Sequence, residues 1–175
     1  KPFRALPGHS DYKKLGAKWK MVGEWLVPEY FLINDICSDK RDIINLEVKT
    51  TFDSVGISDI SDQAKIEING KHAKSFIQEV FDLKKNEIQD NKYAEGFLKR
   101  TNDVILDEMS IVNLGDGCYL LTTSNYSEQE LYNYLIKKFY EQSKNSELSI
   151  NLVTDFHQVY ALWGPLAGEV LDKAL

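Results

Sequence analysis

The chain has 175 residues, 43% of them hydrophobic, with three Trp, nine Tyr and eight Phe, and a formal net charge of −6. That length suits one domain burying roughly two-thirds of the surface its unfolded chain would expose, and the composition excludes a disordered chain. The charges are negative in balance and interleaved, as in Lys71, Glu79 and Lys84, which disfavours nucleic acid and anionic membrane as partners because phosphate binding draws on clustered Lys and Arg.

Residues 1–38 are dense in turn formers and aromatics: Pro2, Pro7-Gly8, Gly16, Gly23 and Pro28 punctuate Trp19, Trp25, Tyr30 and Phe31. They read as an irregular segment that wraps a domain spanning 39–175. Asp39 is placed to cap a helix in which Ile43, Ile44 and Val48 recur at helical spacing. Lys65–Asn69 alternates strictly, with Ile66 and Ile68 on one face, and Asn69-Gly70 closes that strand. Ala73, Phe76, Ile77, Val80 and Phe81 form the apolar stripe of an amphipathic helix over 71–83.

A polar loop over 84–91 leads to a strand pair, 93–98 and 104–114, joined by a turn at Lys99–Asp103. Gly115-Asp116-Gly117 then turns the chain into the strand Cys118–Thr123. Ser127 and Glu130 have capping-box spacing and open a helix with Leu131, Tyr134, Leu135 and Phe139 facing inward. Strands at 148–153 and 157–163 follow, and Gly164-Pro165 precedes a last helix from about Leu166. The order predicts an α+β fold, a mostly antiparallel sheet covered by amphipathic helices.

Cys37 and Cys118 have neither C-x-x-C spacing nor a nearby His, which argues against a metal site, and Cys118 reads as a small core hydrophobe. No run is long and apolar enough to span a bilayer, and no leader pattern is present. With Lys1 in place of an initiator Met, the chain reads as a processed or partial cytoplasmic piece. His9, alone in a polar loop, reads first as a solvated side chain. The adjacent acids Asp107 and Glu108 suit either a solvated strand edge or a carboxylate that holds and deprotonates an amine.

Five short patterns carry a resemblance. Val55-Gly56, Asp59 and Ser61 give V-G-x-x-D-x-S; Lys65-Ile66-Glu67-Ile68-Asn69-Gly70 gives K-I-E-I-x-G; Ala73, Phe76 and Ile77 give A-x-x-F-[LI]. Tyr160-Ala161-Leu162-Trp163-Gly164-Pro165-Leu166-Ala167 matches x-A-[LV]-x-G-P-x-A, and Val104–Val112 looks like G-x-[IV]-[IM]-D-D-x-[IV]-V with Glu108 in place of the second Asp. Together they resemble the first half of the folate-binding fold shared by the glycine-cleavage T-protein (aminomethyltransferase) and the carboxyl-terminal half of the sarcosine oxidase alpha subunit. Gly23-Glu24-Trp25 separates Gly from Trp by one residue, as in the alpha subunit's G-x-W-x-R-P, although Val27 stands where Arg is expected. His9 falls near the spacing of that subunit's P-L-H-x-x-H.

The resemblance implies a tetrahydrofolate-dependent aminomethyl transfer in which Asp107 acts as base beside the folate nitrogen that receives the one-carbon unit. It implies Tyr93, Thr123 and Asn125 as folate contacts. Thr122-Thr123-Ser124-Asn125 is similar to the sarcosine oxidase T-T-T-T, and its hydroxyls suit equally a ligand pocket or bonds to neighbouring strands. The family's second half, with its G-[YF]-T-G-E-x-G-x-E segment, is not in this chain, so the isolated chain is expected to be inactive. Its expected partners are that second half, oxidase subunits, or another copy of itself. The alternative is a non-catalytic accessory subunit of a sarcosine- or dimethylglycine-oxidising complex, similar to a gamma subunit.

Overall fold

The computed structural model describes residues 4–32, 39–83, 88–99, 105–124, 128–142 and 147–175. The chain forms two compact units, Lys1–Asp62 with Gln158–Leu175, and Gln63–His157.

The first unit opens with β1 (Arg4–Ala5), α1 (His9–Lys14), β2 (Ala17–Val22) and β3 (Trp25–Phe31). These strands form a sheet in the order β1-β3-β2, with β1 parallel and β2 antiparallel to β3. Residues 4–31 are therefore regular structure, which corrects the expectation of an irregular segment. The misleading signal was Pro28. It lies at a register shift where Lys18 faces Tyr30 and Trp19 faces Pro28, so Glu29 is the extra residue of a bulge. A bulge tolerates a proline that a regular ladder would reject. Gly23, at φ +60°, makes the hairpin turn between β2 and β3. Leu6, Trp25 and Val27 form a small core, with the Arg4 guanidinium 4.0 Å over the Trp25 ring.

Helix α2 (Lys40–Asp53) begins as its sequence predicts. The Asp39 carboxylate accepts from the Arg41 amide at 2.8 Å and the Asp42 amide at 3.4 Å, satisfying amides that the first turn leaves open. Strand β4 (Gly56–Asp59) follows.

The second unit contains β5 (Ala64–Gly70), α3 (Ala73–Val80), β6 (Phe81–Leu83), β7 (Tyr93–Lys99), β8 (Ile105–Gly115), β9 (Cys118–Thr123), α4 (Glu128–Gln142) and β10 (Leu148–Leu152). A single 3-10 turn, Thr154–Phe156, ends it. Its six strands pair in the order β10-β5-β9-β8-β7-β6, every neighbour antiparallel. One register row crosses the sheet as Leu152, Ile66, Leu121, Ile111 and Ala94. Period-2 alternation turns that row to one face, where Phe76 and Ile77 of α3 and Leu131 and Leu135 of α4 complete the core.

The helix expected over 71–83 stops at Val80, because Phe81–Leu83 pairs with Gly96–Leu98 as an edge strand. Sheet pairing has overridden helical periodicity there. The Gly115-Asp116-Gly117 turn is made with φ of +89°, +50° and +75°. The turn residues 100–104 and the Ser127 cap lie outside the described residues.

The chain returns to the first unit with β11 (Tyr160–Trp163), antiparallel to β4, and α5 (Ala167–Ala174). The strand expected from residue 157 thus starts three residues later. Gly164 between β11 and α5 has φ +112°, and a Cβ there would lie 2.3 Å from the Thr51 carbonyl oxygen. Only glycine fits that close approach. The fold is α+β, with mostly antiparallel sheets and, among the described residues, five helices.

Candidate functional site

Asp107 lies near the start of β8, on the face that carries Met109 and Ile111, and opposite Leu98 of β7. Met109 is paired with Thr123 of β9, so Asp107, two residues earlier on β8, is the diagonal neighbour of Thr123. Oδ2 of Asp107 accepts from the Thr123 hydroxyl at 2.5 Å and from the Ser124 hydroxyl at 2.9 Å. Oδ1 accepts from the Glu108 amide at 2.9 Å. Thr123 is buried, and its oxygen also lies 3.1 Å from the Glu108 carbonyl. Asp107 itself is half-buried at the rim of the core.

Asp107 and Thr123 are thus brought together, while Tyr93 stands apart. Tyr93 pairs with Val112, five residues along β7 from Leu98, or about 16 Å. Alternation also puts it on the opposite face from Leu98 and Asp107, where it is 69% exposed. Asn125 lies outside the described residues. Glu108 is exposed on the face away from the core. Lys65, read as the polar side of its strand, is fully buried there, with Nζ donating to the Gln63 carbonyl at 2.8 Å.

His9 is not a freely solvated side chain. Its ring stacks on Trp19 with centroids 4.2 Å apart, and its Nδ1 is buried without a hydrogen-bond partner among the described residues.

A second cluster, which sequence reasoning missed, sits in the first unit. The Tyr12 hydroxyl donates to Asp59 Oδ2 at 2.5 Å and lies 3.3 Å from the Tyr160 hydroxyl, to which Gln158 donates. Asp59 Oδ1 accepts from the Ser61 amide at 2.9 Å, a local Asx turn. The Ser61 hydroxyl in turn accepts from the Val159 amide at 2.9 Å. The D-x-S of the opening motif is therefore a structural staple joining β4 to the segment before β11. Tyr12 falls three residues after His9, where P-L-H-x-x-H carries its second His; that substitution was the available signal.

Burial, and then the hydrogen bond to Asp59, push the Tyr12 phenol well above its ordinary range. These residues line a half-open cleft of about 910 Å³ that also includes Glu29, Phe31, Glu47 and Trp163. Partial burial raises the Glu47 carboxyl, and a hydrogen bond from the Phe31 amide partly offsets this. Among the described residues no group of three His, Cys, Asp or Glu is placed to hold a metal ion, and no helix is long and apolar enough to cross a membrane.

The sequence model of the GCVT N-terminal domain matches residues 8–175, and the chain belongs to that family. The sarcosine oxidase subunit alpha of Corynebacterium sp. (strain U-96) is 24% identical over 172 residues, which cover 98% of this chain and 18% of that protein. The crystal structure of glycine cleavage system aminomethyltransferase T from Bartonella henselae matches at a TM-score of 0.81 and 21% identity, over 98% of this chain and 44% of that one. The chain thus spans less than half the length of either relative.

Proposed function

We propose that this chain is the amino-terminal part of a tetrahydrofolate-dependent aminomethyl-transfer protein, with Asp107 as its base. The observation that carries the reading is the state of the Asp107 carboxylate, held by three donors at the rim of a packed sheet. A carboxylate fixed in this way positions an amine nitrogen and accepts its proton as that nitrogen takes a one-carbon unit.

The donor set fits such an acceptor. Among the described residues Oδ2 takes two hydroxyls and Oδ1 the Glu108 amide alone, so Oδ1 keeps acceptor capacity for an N–H. Tetrahydrofolate supplies the nucleophilic nitrogen when bound. The role of this chain is to orient that nitrogen and remove its proton.

The reading includes the family's second half. Ligands of this size are held by burying most of their surface, and the chain corresponds to only 44% of its structural neighbour. Leu15, Phe52, Ile57 and Trp163 of the first unit are each more than half exposed, which suits a surface that meets another chain. Sedimentation should show association with a supplied second half.

The deciding experiment is tetrahydrofolate binding by calorimetry, with and without that second half, followed by carbon transfer with Asp107→Asn. The variant should keep folate affinity within about threefold and lose 10²–10⁴ in rate, on the order expected for removing a positioned base. Its stability should fall by no more than about 3 kcal/mol, the upper end for hydrogen bonds to a charged group. Unfolding of Asp107→Asn, or no folate binding even with the second half present, would sink the proposal and favour a scaffolding role.

A further inference from the structure

Thr123 was expected as a folate contact, and in the structure its hydroxyl bonds Asp107. It is buried, its hydroxyl is 2.5 Å from Asp107 Oδ2, and its other polar neighbour among the described residues is the Glu108 carbonyl at 3.1 Å. A threonine hydroxyl has one proton to donate. The shorter contact, to an ionised acceptor, is the stronger of the two. Ser124, the next residue, brings a second hydroxyl to the same oxygen at 2.9 Å.

We propose that Thr123 and Ser124 are positioning residues that aim the Asp107 carboxylate by occupying Oδ2, so that Oδ1 is the oxygen that takes the proton from substrate. This rests on the reading of Asp107 as the base. The geometry has a sequence cause. A strand end that places consecutive hydroxyls diagonal to the acid reaches one carboxylate oxygen from two sides, while the Glu108 amide fixes the other oxygen from within β8. Turning the carboxylate plane about its Cβ–Cγ bond would break all three bonds together, so the plane is held and one oxygen always stands at the Oδ1 position. A base whose plane turned freely would spend much of its time with neither oxygen aligned to the N–H.

Two independent readouts test this. The first needs no activity: NMR of the Asp107 carboxyl carbon and the Glu108 amide in the full chain. Thr123→Val, nearly isosteric but without the hydroxyl, should move both resonances, and Thr123→Ser should bring them back toward wild type. Resonances unchanged in Thr123→Val, in a chain that remains folded by its other amide signals, would overturn the proposal whatever the function. If Thr123→Val fails to fold, Ser124→Ala carries the same test on the second hydroxyl.

The second readout uses the chain with its second half supplied. Thr123→Val should lower kcat by roughly ten- to a hundredfold, as a misaligned group does, with the folate KM changed less than threefold and Thr123→Ser recovering most of the loss. A raised KM at unchanged kcat would place Thr123 against the ligand and refute the positioning role. Absence of folate binding altogether would instead defeat the functional reading, while the resonances still decide whether the hydroxyls hold the carboxylate.

Discussion

The two units hold themselves together by different means. Among the described residues, the second unit gathers sixteen buried side chains into one apolar cluster, while the first has a cluster of three, Leu6, Trp25 and Val27. The first unit relies on directional ties instead: the Asp39 cap, the Tyr12–Asp59–Ser61 chain of hydrogen bonds and the close approach at Gly164. Apolar burial is roughly proportional to area and tolerant of direction, whereas a hydrogen bond or a glycine contact fails with one atom out of place. The two units should therefore respond to different kinds of substitution.

The largest effect belongs to the apolar core. Leu121, fully buried in the middle row of the six-stranded sheet, should cost about 2–5 kcal/mol when cut to Ala. Urea unfolding followed by amide exchange should report the loss across β5, β8 and β9. A cost under about 1 kcal/mol would mean that the cluster is not what stabilises this unit.

Gly164→Ala comes next. Its Cβ would meet the carbonyls of Thr51 and Ser54 at 2.3 and 2.5 Å from a left-handed backbone, and such strain costs of order 1–3 kcal/mol. Exchange should quicken first in β4 and β11. Uniform exchange across the chain would contradict the contrast between the units.

Tyr12→Phe removes the hydrogen bond to Asp59 and should cost about 1–2 kcal/mol at neutral pH. The pH dependence has a definite sign. The folded phenol ionises well above its ordinary range, so above about pH 10 the unfolded chain loses a proton that the folded chain keeps. Wild-type stability should fall as pH rises past that point, and the fall should be shallower in Tyr12→Phe.

The smallest effect is Glu47→Gln. A carboxyl raised by partial burial binds its proton more tightly in the folded state, so it opposes folding once ionised. The variant should gain no more than about 0.5 kcal/mol at neutral pH, and the gain should vanish as pH falls below the ordinary Glu range near 4.3.

The same division explains what was legible in the sequence. Ile66, Ile68, Phe76, Ile77, Leu131 and Leu135 lie in a core built by local periodicity, and period is readable without knowing the fold. Asp39 was readable because a cap acts within three residues of itself. The strands of the first unit were hidden because Pro28 signals a turn and only its bulge partner, across the hairpin, shows otherwise. Tyr12 and Asp59 are 47 residues apart, and no short-range pattern joins them. Asp107 was found through its motif, but the direction of the Thr123 hydroxyl depends on the β8–β9 register, which the motif does not carry.

The lining of the first unit's cleft has a consequence for traffic. Glu29, Glu47 and Asp59 face it, and among the described residues no Lys, Arg or His lines it; the Lys40 that pairs with Glu29 lies outside the lining. Such a wall repels molecules of its own sign over roughly a Debye length, about 8 Å at physiological salt. Anionic molecules should therefore reach this cleft less often than neutral ones of the same size.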